Sequence, residues 1–211
     1  MNDRVLRPGM TIFLILLLSS ACSGEDEESG DAGIDAEYDA DVEREDAERD
    51  VDDGPVPPLV SPSLWTMVAA EDDPLSDHRP AEVECPDEAT KTELLSGDLS
   101  YAVDTTDCNY LAVSQSSLVA VTSGDTLQAR IWHFALTTTS DGEPSGTAHL
   151  AVLFDDEILW EDHIVIPADG TLLTPEWEVT QDYPRGTEVI FHLHNHGDNQ
   201  WNFIDLEIVD H

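Results

Sequence analysis

The chain has 211 residues, of which 46 are Asp or Glu and only 8 are Lys or Arg, giving a net charge of −38 at neutral pH. A surface so negative repels nucleic acid, anionic lipid headgroups and polyanionic glycans, and its self-repulsion is eased by salt. Three cysteines and five tryptophans suffice for one disulfide and one real core.

The N-terminus, MNDRVLRPGMTIFLILLLSSACSG, places Arg4 and Arg7 before an apolar run and then the small residues Ser19, Ser20 and Ala21. This is the layout of a secretory signal peptide over residues 1–21, with an apolar run shorter than the roughly 20 residues a membrane-spanning helix needs. The segment LSSAC resembles a bacterial lipobox, with Ser19 where that family usually has Leu. The resemblance implies that Cys22 is diacylated (palmitate included) and becomes the new N-terminus. Ser23 in the following position implies, by the same likeness to Gram-negative lipoproteins, a lipid anchor in the outer membrane of the cell envelope.

Residues 22–63 read as a linker. Residues 23–54 are about half Asp and Glu, with Arg44 and Arg49 the only cations. Such a segment buries too little apolar surface to offset the entropy of ordering, and its charges push it toward extended shapes. It is expected to be a disordered spacer. It carries no calcium loop of alternating carboxylates with a closing Glu. Pro55, Pro57, Pro58 and Pro62 stiffen its end.

Residues 64–211 have the length of one domain. Its basic residues are Arg79, Lys91, Arg130 and Arg185. With Cys22 lipidated, Cys85 and Cys108 remain. Two cysteines in an oxidising compartment have one pairing, expected to close a loop worth about 3 kcal/mol. Residues 86–95 are the one helix candidate.

The rest is strand pattern broken by turn signals. Strands are expected near residues 99–103 and 109–115, at 117–121, along the long run 126–138, and at 147–154, 157–166, 171–179, 187–195 and 201–209. Gly, Asp and Pro punctuate them, β-branched and aromatic residues dominate, and no long stretch has helical periodicity. Eight or nine closely spaced strands mean an all-β sandwich or barrel.

SGDTLQARIWHFAL, AVLFDDEILWE and YPRGTEVIFHLHNHGDNQWNFIDLEI together resemble the jelly-roll β-sandwich of galactose-binding-like domains and carbohydrate-binding modules, over about residues 98–211. The resemblance implies a jelly roll of about eight strands, a glycan or envelope-protein partner, no catalysis, and calcium as the one cofactor to test for. Anchor, acidic spacer and β-domain together also resemble surface lipoproteins of myxobacteria.

The stretch FHLHNHGDNQW (191–201) concentrates the candidate chemistry. Strand alternation puts Val189, Phe191, Leu193 and Asn195 on a core face, and His192 and His194 on the other with Glu188. Three readings stand. For sugar, Asn195, His196, Asp198 and Asn199 offer hydrogen-bonding groups and Trp201 a stacking platform, with Trp132 and His133 from the long strand as neighbours. Trp201, beginning a strand after a loop, is the tryptophan expected to be exposed, whereas Trp160 and Trp177 are expected in the core. For a metal, Gly186, His192 and His194 resemble the opening of the cupin motif, with Asp198 in place of its Glu. The ligands would then be His192, His194 and Asp198, with His133, His149 or His163 as substitutes. In the third reading the asparagines only fasten the turn at Gly197 and the lipoprotein is structural. No nucleophile elbow, phosphate loop or dinucleotide fingerprint is present.

Overall fold

The computed structural model describes residues 58–138, 146–195 and 197–209. The expected signal sequence, Cys22, the acidic run and His196 lie outside the described residues.

The described chain is almost entirely β. In chain order the strands are β1 (Thr66–Met67), β2 (Thr90–Leu95), β3 (Asp98–Asp104), β4 (Tyr110–Ser116), β5 (Thr126–His133), β6 (Thr147–Phe154), β7 (Glu157–Val165), β8 (Thr171–Leu173), β9 (Glu176–Glu178), β10 (Glu188–His194) and β11 (Gln200–Val209). They form two antiparallel sheets packed as a jelly-roll sandwich. The first runs β1-β4-β10-β6-β7 and the second β2-β3-β11-β5-β8, with β9 pairing β5 further along. Three of the eleven strands are only two or three residues long. The other eight match the expected number.

Alternation explains the layering. Leu127, Ala129 and Ile131 of β5, Val189, Phe191 and Leu193 of β10, and Trp201, Phe203 and Leu206 of β11 all point into one core. Phe191 and Phe203 stack across the gap between the sheets at 4.5 Å and 6°. The Cys85–Cys108 disulfide is formed and ties the segment before β2 to the start of β4.

Four expectations need correction. The helix candidate at 86–95 is a 3-10 turn, Asp87–Ala89, followed by strand β2. Its apolar residues, Leu94 and Leu95, belong to a hairpin whose turn, Ser96-Gly97, has φ of 54° and 106° at its two residues. The strand expected at 117–121 reduces to one bridge, Val121 to Tyr183. The strand expected at 171–179 is divided at Thr174-Pro175, because Pro175 has no N–H to donate to a ladder. Its carbonyl still accepts from Ala129 N at 3.1 Å.

The fourth correction is the domain's start. Leu59 and Val60 are buried in the core. Leu59 N donates to Leu206 O at 3.1 Å, and Leu118 N donates to Leu59 O at 2.9 Å. The folded domain therefore begins several residues before 64, inside the proline-rich segment assigned to the linker.

Candidate functional site

The candidate site lies on the outer face of the second sheet. In β5, residues alternate strictly between buried and half-buried. Leu127, Ala129, Ile131 and His133 face inward, so Gln128, Arg130 and Trp132 face outward. Across the ladder, Asn202 of β11 and Leu172 of β8 stand opposite Trp132. A register shift between Phe203 and Asp205 inserts Ile204 and turns Asp205 outward beside Arg130.

The result is an open cleft of about 410 Å³ lined by Leu95, Asp98, Arg130, Trp132, Phe134 and Leu172 among others. Trp132 and Phe134 meet edge to face at 5.9 Å and 90°. Phe134 and Leu172 are each 44% exposed, unusually open for large apolar side chains on one face.

The polar wall is rigid. Arg130 Nε donates to Asp205 Oδ1 at 3.0 Å and Oδ2 at 2.8 Å, and its Nη1 donates to Asp98 Oδ2 at 3.1 Å. Its Nη2 also pairs with Asp205. Hydrogen bonds to Asp205, more than the opposing effect of burial, hold the guanidinium firmly protonated. Behind Trp132, Asn202 Nδ2 donates to Glu93 Oε1 at 2.8 Å and Ser100 Oγ at 3.1 Å, and Gln200 Nε2 donates to Glu93 Oε1 at 2.7 Å. Burial raises the Glu93 carboxyl, but hydrogen bonds from Asn202, Lys91 and Gln200, with the Lys91 charge, bring it below the usual range. Asp98, Asp205 and Glu93 are thus committed to fixed partners. Such a face can stack and hydrogen-bond a ligand without offering a free acid and base in the cleft.

The sequence-expected site residues fall in three separate places. Trp132 alone lies on this face. His133 points into the core, 1% exposed, with its ring 4.7 Å from that of Trp201. Trp201 is fully buried, contrary to the expected exposure. Trp160 and Trp177, expected in the core, are half-buried at its margin and stack at 6.2 Å.

The loop asparagines are structural. Asn195 Nδ2 donates to Thr105 Oγ1 at 2.8 Å and Gly197 O at 3.0 Å. Asn199 Oδ1 accepts from Thr137 N at 2.6 Å, and its Nδ2 donates to Thr137 O at 3.3 Å. Both are buried, so neither is presented to a ligand. Asp198 is exposed at the loop tip.

His192 and His194 lie on the outer face of the first sheet, as alternation requires, but residues 68–79 fold over that face and His192 is fully buried. Among the described residues no group of three His, Cys, Asp or Glu is placed to hold a metal ion, the set His192, His194 and Asp198 included.

Arg130, Asp205, Asp98, Phe134 and Leu172 are site residues that reading the sequence missed. The visible signal was Arg130, one of four cations in an acidic domain and two residues from Trp132. The partners that make it a site come from the cross-strand register.

No protein-family model matches the chain, and no curated protein matches it. Solved structures similar to it include a CBM4 protein, at 16% identity and TM-score 0.37, covering 57% of this chain and 92% of that one. Another is the C-terminal CBM6 of LamC, a marine laminarinase from Zobellia galactanivorans, at 11% identity and TM-score 0.38, covering 61% and 97%. A third is TmCBM61 in complex with β-1,4-galactotriose, at 11% identity and TM-score 0.36, covering 62% and 88%. At these values the likeness is distant, and the reading of the site rests on the chain's own residues.

Proposed function

We propose that this domain is a non-catalytic module that binds a neutral carbohydrate on the outer face of its second sheet. The observation that carries the reading is the half-open aromatic surface of Trp132 and Phe134 beside the fixed Arg130–Asp205–Asp98 group. An aromatic face stacks on the apolar side of a pyranose, and charged hydrogen-bonding groups held in place take its hydroxyls in pairs. The neutralised guanidinium and the acidic surroundings favour an uncharged glycan over an anionic one.

The test is a glycan array, run with and without calcium, followed by titration of the strongest ligand. Trp132→Ala should weaken binding by about 5- to 150-fold, corresponding to roughly 1–3 kcal/mol for a lost stacking and desolvated contact. The circular dichroism spectrum should be unchanged, because Trp132 is only half-buried. A folded variant that binds as well as the parent would remove this face from the site.

The reading includes the cell envelope as location, through a lipid on Cys22 and the acidic spacer. It is supported by the apolar run and the small residues before that cysteine. Cys22→Ala should shift the protein from the membrane fraction to the soluble fraction. Unchanged membrane association of that variant would refute the anchor.

A further inference from the structure

The outer face of the first sheet holds a cluster of imidazoles that the carbohydrate reading does not use. His149 of β6 stands opposite His194 of β10 and His163 of β7 in the ladders. The His149 ring lies 4.3 Å from that of His163 and 4.8 Å from that of His192. From above, His78 brings its ring to 4.7 Å from His149 and 6.4 Å from His192. Neither ring nitrogen of His192 makes a hydrogen bond, nor does Nδ1 of His149, although both side chains are buried. Burying two such rings is tolerable only while they are neutral.

What buries them is a strap, residues 68–79, held partly by Tyr110, whose Oη lies 3.2 Å from Leu75 O and whose ring lies under Arg79. Val68 N donates to Ala112 O at 2.9 Å. Leu75 packs on Ala151, Leu153 and Ile190. Tyr110 Oη donates to Asp73 Oδ2 at 2.5 Å, and Arg79 Nη1 donates to the same oxygen at 3.2 Å.

We propose that residues 68–79 form an acid-sensitive latch, closed over the first sheet while His149 and His192 are neutral and released when acidification charges these imidazoles. The charged groups around them favour release. Arg79 of the strap carries a fixed positive charge, and the rings of His78, His163 and His194 crowd the pair from the strap and the sheet without offering a negative charge. Tyr110 is uncharged, and Asp73 is committed to Tyr110 and Arg79. Among the described residues the one carboxylate facing His149 is Glu161, its Oε2 3.4 Å from Nε2, with half of its side chain in solvent.

Burial first, then the neighbouring imidazoles, lower His149 from its ordinary value and take His192 down to about 3. The sign follows from linkage. A histidine depressed in the closed state contributes stability that is present above its ordinary value near 6.5 and is lost as pH falls toward the closed-state value. Between pH 7.5 and 5, His192 alone should raise the open-to-closed ratio about 30-fold.

Hydrogen exchange of the full chain at both pH values, corrected for intrinsic rates, tests this. Peptides covering 68–79 should lose about 30-fold protection at pH 5 while those of β10 and β11 keep theirs. His149→Phe/His192→Phe should abolish most of that loss. Unchanged strap protection in the parent, or an equal loss in the variant, would overturn the latch. If the variant does not fold, imidazole resonances of the parent decide: strap opening without a matching His149 or His192 titration overturns it. Zinc that raises strap protection at pH 7.5 would also overturn it, assigning the rings to metal instead.

Discussion

Trp201→Ala should unfold or severely destabilise the domain, with no selective effect on ligand binding. Trp201 is fully buried, sits opposite Val103 of β3 and His133 of β5, and is among the largest side chains in the core. Removing a buried tryptophan costs about 3–5 kcal/mol through lost transfer energy and the cavity left behind. Against a typical domain stability of about 5–15 kcal/mol, that is a large fraction. For a domain of this size it should lower the melting temperature by about 10–20 °C. Trp201→Phe should cost much less, because it keeps an aromatic ring there and removes an indole N–H that has no partner. Thermal melts of both variants decide the point. A Trp201→Ala protein that melts like the parent but has lost glycan binding would return this tryptophan to a ligand site.

The contrast with Trp132 shows what could be read from the chain alone. Both tryptophans lie in alternating strand patterns, Trp201 as the candidate platform and Trp132 as its candidate neighbour. Alternation separates the two faces of a strand but does not say which face is the core when both carry apolar residues. In β5 the inward set is Leu127, Ala129, Ile131 and His133. A histidine inside and a tryptophan outside is the reverse of what hydrophobicity suggests. His133 is accommodated by stacking on Trp201 and by its Nδ1 lying 2.8 Å from Phe134 O, two contacts that depend on register.

The sheet architecture was more legible. Residues 147–154 and 201–209 appear as strands β6 and β11 with bounds within a residue of those expected, because β-branched runs between Asp and Gly turns admit little else. The failures come where local pattern gives way to neighbours. KTELL looks helical by composition but pairs in full with DLSYA through a two-residue turn. The histidines of β10 were placed on the correct face, yet the cover over them comes from residues 68–79, more than a hundred positions earlier. No spacing within FHLHNHGDNQW announces that cover. The wide separation also explains why the aromatic cleft was missed: Asp98, Arg130, Leu172 and Asp205 meet only after four strands have paired.

Gly197→Ala should be the other strongly destabilising change, and for a reason the turn sequence only partly reveals. The residue has φ of 151°, and a Cβ there would lie 2.0 Å from Thr137 O and 2.9 Å from Asn199 Nδ2. The first contact is with backbone and has no flexible end to swing away. Thr137 is itself held by Asn199 through its N and O. Gly197 O in turn accepts from Thr105 Oγ1 at 3.0 Å and Asn195 Nδ2 at 3.0 Å. Moving either strand of the turn therefore breaks several buried hydrogen bonds at once, at about 1 kcal/mol or more each in addition to backbone strain of about 1–3 kcal/mol. A total of about 3–5 kcal/mol is expected. Gly124→Ala is the matched control. Its φ is 98°, but a Cβ would meet nothing within 4 Å, so only the left-handed backbone penalty of about 1–2 kcal/mol applies. Urea midpoints of the two variants should differ by more than twofold in their shift from the parent. Equal shifts would mean that the Thr137 contact relaxes freely and that the loop is not the clamp these hydrogen bonds describe.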